Sequence, residues 1–418
     1  MGIYLINDQR IRSDDESVLQ IALASVYESK VRPLCLCTET GISMYVARAH
    51  GRYLIKRMPN SGSTHLPTCE TYEPPAELSG LGEVMGSAIQ ENPDEGIAIL
   101  KFDFSLSKGG SRAAPTPSDA EADSVKTDGK KLSLRGTLHY LWEEAGLNRW
   151  TLAMAGKRSW YVINKYLYQA ADNKLAKGMN LSDVLYIPES FSLDKKEEIN
   201  QRRVARMMKN HASHKQLRRL MIAIGEVKSI APSRFGQKII LKHLPDCHFM
   251  MNDDLHARLL KRFNLTLALW DALPETHLIM IGTFGVSATG IPTLEEVALI
   301  NVTENWIPFE STFDKDLLEA LTQAQRPFTK GLRYNLPETK PLACVVLADT
   351  PTQATALYIC PPTASEETIN EMDTLIEESK LASWVWRIGD ASMPALPPSK
   401  KAAANQVLLE KSHEVIVA

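Results

Sequence analysis

The pattern of apolar and polar residues predicts short strands near the start of the chain and helices in its middle. Two β-rich runs, at 44–48 and 53–57, predict a hairpin. Apolar residues at three- and four-residue spacing then predict helices at 134–144 and 159–171. A longer helix, or a pair of helices, is predicted for 193–223. These elements indicate a multidomain α+β chain whose β-rich beginning is followed by a helical middle.

The second half of the chain alternates between predicted strands and helices. Strands are predicted at 238–242, 278–284 and 296–302, around a helix at 254–262. The asparagine and two aspartates at 252–254 directly precede that helix, which is a typical N-cap context. A metal-binding role of these aspartates is the alternative. The middle therefore carries mixed β segments besides its helices.

Beyond residue 313 the predicted elements follow the order αβββαβ. The first strand is expected near 328–335, whose sequence is FTKGLRYN. The other elements are helices at 317–325 and 366–380 and strands at 342–348, 356–359 and 384–388. Such an order predicts a small α/β domain at the C-terminal end.

Composition divides the chain into segments. Residues 105–130 are rich in Ser, Ala, Pro, Gly and Asp and offer few apolar contacts, so they predict a disordered linker. The predicted organisation is a β-rich module at 1–104, that linker, a basic helical and mixed α/β region at 131–313, the α/β domain at 314–390 and a tail at 391–418.

The overall composition excludes several classes of protein. The 418 residues are 44% hydrophobic and 23% charged, which is typical of a globular chain with a sizeable core. The longest apolar runs, such as 278–281, are far shorter than the roughly 18 residues that a membrane span needs. Residues 1–12 lack the apolar segment of a secretory signal, and six cysteines are too few for a disulfide scaffold. We therefore expect a cytoplasmic protein with no membrane partner.

Positive charge is concentrated in the middle of a chain whose net charge is −3. Residues 131–245 contain 21 Lys and Arg against 9 Asp and Glu, and 199–219 contain no acidic residue. A basic block of this kind favours a polyanion, here duplex DNA, because phosphate neutralisation releases counterions. Solvated helix faces are the alternative. The candidate phosphate contacts are Arg202, Arg203, Arg206, Lys209, Lys215, Arg218 and Arg219.

Two pairs of soft ligands flank the predicted hairpin. Cys35 and Cys37 precede it, and His65 and Cys69 follow it. Small tetrahedral zinc sites are built in this way, and the first pair resembles the opening of SWIM-type zinc modules. Four protein ligands leave no open position, so we expect structural zinc. The alternative is that these are four ordinary side chains.

Several motifs together resemble one family. They are RPLCLC at 32–37, IKRMPNSG at 55–62, His65, Cys69, YEPP at 72–75, APSRFGQ at 231–237, FMMNDDLH at 249–256, IGTFGV at 281–286 and NVTENWIPFE at 301–310. The family is the uncharacterised proteobacterial domain of unknown function 1173 family, found on plasmids and integrative conjugative elements. The resemblance covers nearly the whole chain. It implies a bacterial cytoplasmic protein that belongs to the cargo or transfer module of a mobile element.

The C-terminal block is similar to the core of restriction-endonuclease-like nucleases, both in its αβββαβ order and in the wording of 328–335. Active members carry an Asp on the second strand and an acidic residue, a spacer and a Lys on the third, which bind Mg²⁺. Here Cys344 stands at the first position and Tyr358, Ile359 and Cys360 at the others. The resemblance therefore implies a degenerate nuclease that retains a binding or assembly role. An unrelated α/β domain is the alternative.

These observations lead to three functional hypotheses. The first is a non-enzymatic DNA-associated accessory protein of a mobile element, with other proteins of that element as further partners. The second is an active Mg²⁺-dependent nuclease whose carboxylates have moved, with Glu319, Glu338 and Asp349 as candidates. The third is a protein-interaction scaffold of a conjugation or secretion apparatus.

Overall fold

The computed structural model describes residues 2–29, 31–49, 51–109, 129–211, 217–234, 236–287, 289–389 and 392–403. Within these ranges the chain is a mixture of helices and several β-sheets, so the predicted α+β class is confirmed. None of the helices in these ranges has the length and apolar character that crossing a membrane would require.

The strands, in chain order, are β1 (Ile3–Ile6), β2 (Gln9–Arg12), β3 (Leu34–Cys35), β4 (Ile42–Ala49), β5 (Arg52–Arg57), β6 (Ile89–Asn92), β7 (Ile97–Leu100), β8 (Ser107–Gly109), β9 (Arg149–Trp150), β10 (Lys174–Ala176), β11 (Met179–Asn180), β12 (Leu185–Tyr186), β13 (Leu217–Arg219), β14 (Met221–Pro232), β15 (Gln237–Leu241), β16 (Leu244–Met251), β17 (His277–Val286), β18 (Pro292–Val302), β19 (Pro308–Phe309), β20 (Phe328–Lys330), β21 (Val345–Leu347), β22 (Thr355–Cys360) and β23 (Ala382–Arg387).

The α-helices are α1 (Glu16–Tyr27), α2 (Leu81–Val84), α3 (Leu134–Glu144), α4 (Trp160–Ala171), α5 (Leu181–Val184), α6 (Lys196–His211), α7 (Asp253–Arg262), α8 (Asn264–Ala272), α9 (Thr312–Gln323) and α10 (Glu366–Ser379). Short 3₁₀ turns lie at Gly62–Thr64, Ala76–Leu78 and Leu152–Met154.

The N-terminal module is a five-stranded sheet in the order β2-β1-β3-β4-β5. The predicted hairpin is confirmed as β4 and β5, which pair from Met44 opposite Arg57 to Ala49 opposite Arg52. Helix α1 was not predicted. It begins at the N-cap Asp15 and buries Leu23 and Val26 against the sheet. The N-terminal module thus has a small apolar core of its own beneath helix α1.

Two small sheets connect segments that the composition separates. Strand β7 pairs in parallel with β10, so a four-stranded sheet in the order β11-β10-β7-β6 contains residues from both sides of the predicted linker. Strand β8, at 107–109, pairs with β13. Part of the predicted disordered linker is therefore a strand, while 110–128 lie outside the described residues.

The middle of the chain is organised around a closed ring of strands. Strand β14 is long: its first half pairs with β17 and its second half with β15, with a bulge between Val227 and Ser229. Strands β15 and β16 form a hairpin, β16 meets β18 in parallel, and β18 returns to β17. The pairing β14-β15-β16-β18-β17-β14 encloses buried side chains such as Ile239, Phe249 and Ile281.

The helix predicted for 193–223 is wrong in its last part, where the structure has strands. Helix α6 ends at His211, residues 212–216 lie outside the described residues, and β13 and β14 follow. Arg218 and Arg219 are therefore strand residues. The segment 220–227 is buried in the barrel wall, and that burial favours the extended form over the predicted helix.

The C-terminal sheet has the order β23-β22-β21-β20-β9. Strands β20, β21 and β22 run as an antiparallel meander, and β23 lies parallel to β22 after helix α10. With α9 before β20, the predicted αβββαβ order is confirmed, and the second and third strands are neighbours as expected. Strand β9 adds a fifth strand, contributed from near residue 150.

The beginning of the predicted tail packs against this C-terminal sheet. Met393 and Leu396 contact its apolar cluster, and Arg326 donates a hydrogen bond to the carbonyl of Pro397. Residues 392–403 are thus part of the folded body, while 391 and 404–418 lie outside the described residues.

Candidate metal centre

The predicted soft ligands meet at the end of the N-terminal sheet. Cys35, Cys37, His65 and Cys69 place one ligand atom each within 4.8 Å of one another. The Sγ atoms of Cys35 and Cys69 are 3.6 Å apart, and Nδ1 of His65 lies 3.4 Å from Sγ of Cys37 and 3.7 Å from Sγ of Cys69. All three cysteines are free thiols. The group can therefore hold a metal ion, as its spacing predicts.

Local structure explains why the two pairs converge. Cys35 is fixed by strand β3, which lies between β1 and β4. After the hairpin, the 3₁₀ turn at Gly62–Thr64 and a turn closed by Cys69 N–H to the carbonyl of Leu66 reverse the chain. His65 and Cys69 consequently return to the end of β3, where Cys35 lies. The hairpin β4–β5 thus separates the two ligand pairs along the chain but brings them together in space.

Burial and hydrogen bonding set the protonation of the ligands. Burial raises the pKa of the Cys35 thiol to about 12. For Cys69 burial acts in the same direction, but hydrogen bonds from Thr71 outweigh it and the pKa is lowered. Burial, together with Arg57, lowers the pKa of His65, which favours the neutral imidazole that metals bind. Metal binding must still displace a proton from Cys35.

One neighbour of the cluster was missed at the sequence level. The Thr71 hydroxyl lies 2.9 Å from Nδ1 of His65 and 3.0 Å from Sγ of Cys69. Beside a bound metal, this hydroxyl is placed to donate to a thiolate, as outer hydrogen bonds of metal ligands commonly do. The other ring nitrogen of His65, Nε2, is buried and has no hydrogen-bond partner among the described residues.

The candidate phosphate contacts are spread over two kinds of element. Arg202, Arg203 and Arg206 lie on α6, and Arg219 lies on β13. The backbone places Lys209 on α6 and Arg218 on β13, while Lys215 lies outside the described residues.

The three arginines of α6 differ in their partners. Exposed Arg202 forms a bidentate pair with Glu189. Arg203 is half-buried and contacts the side chain of Asn200. Arg206 donates to the backbone carbonyls of Leu185 and Ser182 and stacks on Tyr168. Arg206 thus holds the helix in place, whereas Arg202 faces solvent.

A second chemically rich region surrounds Cys344 in the C-terminal sheet. A cavity of about 710 Å³ is lined there by both charged and apolar side chains. The carboxylate of Glu310 accepts from Nε of Arg333 at 2.7 Å, and buried Lys330 lies 3.3 Å from the carboxylate of Asp314. Two acids and a lysine therefore stand close to the position where the nuclease pattern expects an Asp.

These acids are neutralised by protein cations. Burial raises the pKa of a carboxylate, yet Arg333, Lys330 and Arg135 outweigh it for Glu310 and lower its pKa to about 2. For Asp314 burial prevails and the pKa is raised despite Lys330. The pairs leave little uncompensated negative charge for a divalent cation.

The proposed relocated carboxylates are placed elsewhere. Asp349 forms a bidentate pair with Arg326, with both N···O distances at 2.7 Å. Glu319 pairs with Lys315 on its own helix. Glu338 is exposed at the cavity wall. The structure does not bring these three acids together: among the described residues, the Cys/His group alone unites three or more potential metal ligands.

Comparison with known proteins places the chain in a family. No curated protein and no solved structure matches it. One family model does match, and it covers residues 4–389, including all four residues of the metal group and both the barrel and the C-terminal sheet. Its description is "Protein of unknown function (DUF1173)". The chain therefore belongs to the DUF1173 family.

Proposed function

We propose that this protein is a non-enzymatic nucleic-acid-associated accessory protein, of a kind carried by bacterial mobile elements. The observation that supports it is the acid-free segment 199–219, most of which is helix α6. Exposed Arg202 and half-buried Arg203 provide positive charge on that helix. Contacts of this kind position a nucleic acid through its phosphates and carry no sequence information.

The metal group supplies stability to this accessory protein. We infer that the ion is zinc, because three thiolates and one imidazole are a donor set that zinc prefers. The residues that would hold it are Cys35, Cys37, His65 and Cys69. Four protein ligands leave no position for a substrate, so the ion would cross-link β3 to the turn after the hairpin.

The C-terminal domain is proposed to be a degenerate restriction-endonuclease-like core. Support comes from the αβββαβ order and from Cys344 and Tyr358 at positions where active members carry acids. Incubation with supercoiled plasmid and Mg²⁺ or Mn²⁺ should leave the plasmid intact. Nicking that is lost in Glu310→Gln would instead support the alternative of a nuclease with a relocated site.

Duplex binding is the direct test of the proposed association. Fluorescence anisotropy with a labelled duplex at about 50 mM salt should show binding that weakens steeply as salt rises. The double variant Arg202→Ala, Arg203→Ala should reduce the salt slope by up to about 2, since each phosphate contact contributes about 0.9. Arg206 stays intact because it anchors the helix.

A matched control removes two exposed charges elsewhere. Arg258 and Lys261 are both exposed on α7, and their replacement by Ala should leave duplex binding unchanged. Absence of wild-type binding at that salt would overturn the proposal. It would also favour the scaffold alternative if pull-down then identified protein partners from the same mobile element.

A further inference from the structure

The strand order of the barrel is that of an OB-fold. Its five strands are β14, β15, β16, β17 and β18, and they close in the order first-second-third-fifth-fourth-first. The long first strand pairs with the fourth through its first half and with the second through its second half. The third and fifth strands are parallel, and helices α7 and α8 connect the third strand to the fourth. These are the connections of a five-stranded Greek-key barrel.

The second and third strands expose one face. Along β15, Ile239 and Leu241 are buried while Lys238 and Ile240 are half-buried. Along β16, Phe249 and Met251 are buried while His248 and Met250 are half-buried. Side chains of a strand alternate between faces, so the half-buried set points outward from the barrel.

The outward residues form rows across neighbouring strands. Lys238 pairs with Ala231 on β14 and with Met250 on β16, and Met250 in turn pairs with Thr293 on β18. A second row joins Ile240 to Ser229. The face therefore combines apolar side chains with a lysine, a mixture suited to bases as well as phosphates.

Charge on this face is mainly positive. The segment 227–245 holds four basic residues and no acidic residue. Among them Lys228 is exposed at the β14 bulge and Lys238 lies within the face. Asp246 lies on the same outward side of β16 and is paired with Lys196 at 3.1 Å, and Glu295 lies 2.7 Å from Lys108. Lys228 and Lys238 are therefore the charges that phosphates would meet on this face.

The remaining barrel surface is covered by other elements. Helix α3 packs against β17 and β18, and α7 and α8 pack against β18. Strand β12 pairs with the first half of β14. At the far tip of the β15–β16 hairpin, His243 stacks on Trp160. Among the described residues, α6 reaches the outward side of β16 at Asp246 through Lys196, while Lys238, Ile240, His248 and Met250 stay partly accessible on β15 and β16.

We propose that the outer face of β15 and β16 binds a single strand of nucleic acid. Phosphates would lie against Lys228 and Lys238, and bases would pack on Ile240, His248 and Met250. This inference rests on the proposed association with nucleic acid, but it names another surface and another form of the polymer.

The contact residues explain why a single strand fits better than a duplex. Bases can pack on apolar and imidazole side chains only when they are unpaired and unstacked. A duplex would offer phosphates alone to this face, and two lysines would be its main contacts. Binding should therefore prefer single strands and show little sequence preference, because packing on a flat apolar surface is tolerant of base identity.

The test compares three double variants that each remove two positive charges. They are Lys228→Ala with Lys238→Ala on the barrel face, Arg202→Ala with Arg203→Ala on α6, and Arg258→Ala with Lys261→Ala on α7. Anisotropy is measured with a 20-nucleotide single strand and with its duplex, because one such barrel covers roughly 4–16 nucleotides. A thermal melt of each variant checks folding.

The three variants are expected to change the affinities for the single strand and for the duplex differently. The barrel variant should lose about tenfold in affinity for the single strand and reduce its salt slope by about 1.4, at about 0.7 per phosphate. The α6 variant should affect the duplex more, and the α7 variant neither ligand. Duplex binding without single-strand binding, or single-strand binding that the barrel variant leaves intact, would overturn the inference and leave the proposed association standing. Failure of the wild-type protein to bind either the single strand or the duplex would refute both this inference and the proposed association with nucleic acid.

Discussion

The sulfur atoms of Cys35 and Cys69 lie 3.6 Å apart, although 34 positions separate the two residues in the chain. Tetrahedral zinc with Zn–S bonds of about 2.3 Å separates two sulfurs by about 3.8 Å. The distance between the two thiols is therefore close to the one that a shared zinc ion requires.

Replacing Cys69 with Ser should abolish stoichiometric metal binding. We expect purified wild-type protein to contain one zinc ion per chain by mass spectrometry and the variant to contain almost none. Loss of the ion should also loosen the β4–β5 hairpin, seen as faster amide exchange there. Cys360→Ser, which alters a buried cysteine outside the group, serves as the control and should retain zinc. A variant Cys69→Ser that keeps its zinc would refute the assignment.

The ligands could be predicted from the sequence, whereas their surroundings could not. Two short ligand pairs at the ends of a hairpin must meet when the hairpin closes, so local spacing was sufficient. Thr71 carries no such signal, because a hydroxyl is a rare ligand and its contact with His65 depends on how the following turn folds. The charged lining of the cavity beside Cys344 likewise depends on residues nearly two hundred positions apart.

A buried carboxylate joins α3 to two strands from separate sheets. The side chain of Glu144 lies 2.6 Å from Nζ of Lys174 on β10 and 3.0 Å from Nζ of Lys56 on β5. Burial alone would raise the pKa of Glu144, but Lys174, Lys56 and Arg57 outweigh it and hold the pKa well below its usual range. Glu144 is consequently ionised, and Lys174, whose side chain is 4% exposed, depends on it.

Glu144→Gln should destabilise the protein by about 3 kcal/mol, since a buried lysine without its counter-charge is costly. Glu143→Gln is the matched control on the preceding residue. Burial, with Glu73, raises the pKa of Glu143 to about 7, and its carboxylate accepts a hydrogen bond from the Tyr334 hydroxyl. A glutamine oxygen can accept that bond, so the control should cost about 1 kcal/mol or less. Urea denaturation measures the free energy of unfolding of both variants. Equal losses of stability would show that Lys174 does not depend on the charge of Glu144.

The barrel shows where sequence patterns fail. Residues 220–223 form the end of the helical stretch predicted for 193–223. Strand β14 forms instead, since its partners β17 and β15 lie up to about 60 positions ahead and its first half is buried in the barrel wall. By contrast, α7 was predicted correctly because Asn252 caps it locally: its side chain accepts from Leu255 N–H at 2.8 Å.

Two arginines of α6, Arg206 and Arg202, should contribute differently to the stability of the protein. Arg206→Gln removes two hydrogen bonds to backbone carbonyls and a stacking contact with Tyr168, so it should destabilise the protein by about 1–3 kcal/mol. Arg202→Gln removes an exposed ion pair worth at most about 1 kcal/mol. Thermal melts of the two variants should therefore differ clearly. A larger loss for Arg202→Gln would mean that the anchoring role belongs to that residue.

A buried histidine links α3 to the loop after β20. Nδ1 of His139 accepts a hydrogen bond from the backbone N–H of Tyr334 at 2.9 Å, so the neutral ring is the form that fits. Burial, assisted by Arg135, lowers the pKa of His139 to about 3. Protonation at Nδ1 would remove the acceptor and place a charge in a site where 3% of the residue is exposed.

This histidine should make the protein lose stability in mild acid. The unfolded chain binds a proton at His139 near pH 6.5, whereas the folded chain does so only near pH 3, so the stabilising contribution is complete above 6.5 and falls as pH decreases between these values. The slope from this one group can reach about 1.4 kcal/mol per pH unit. Urea midpoints measured at several pH values from 7 to 5 should decrease in wild type. His139→Gln, whose amide oxygen can accept from Tyr334 without titrating, should be less stable at pH 7 and show a smaller decrease. Parallel curves for the two proteins would show that His139 is not the titrating group.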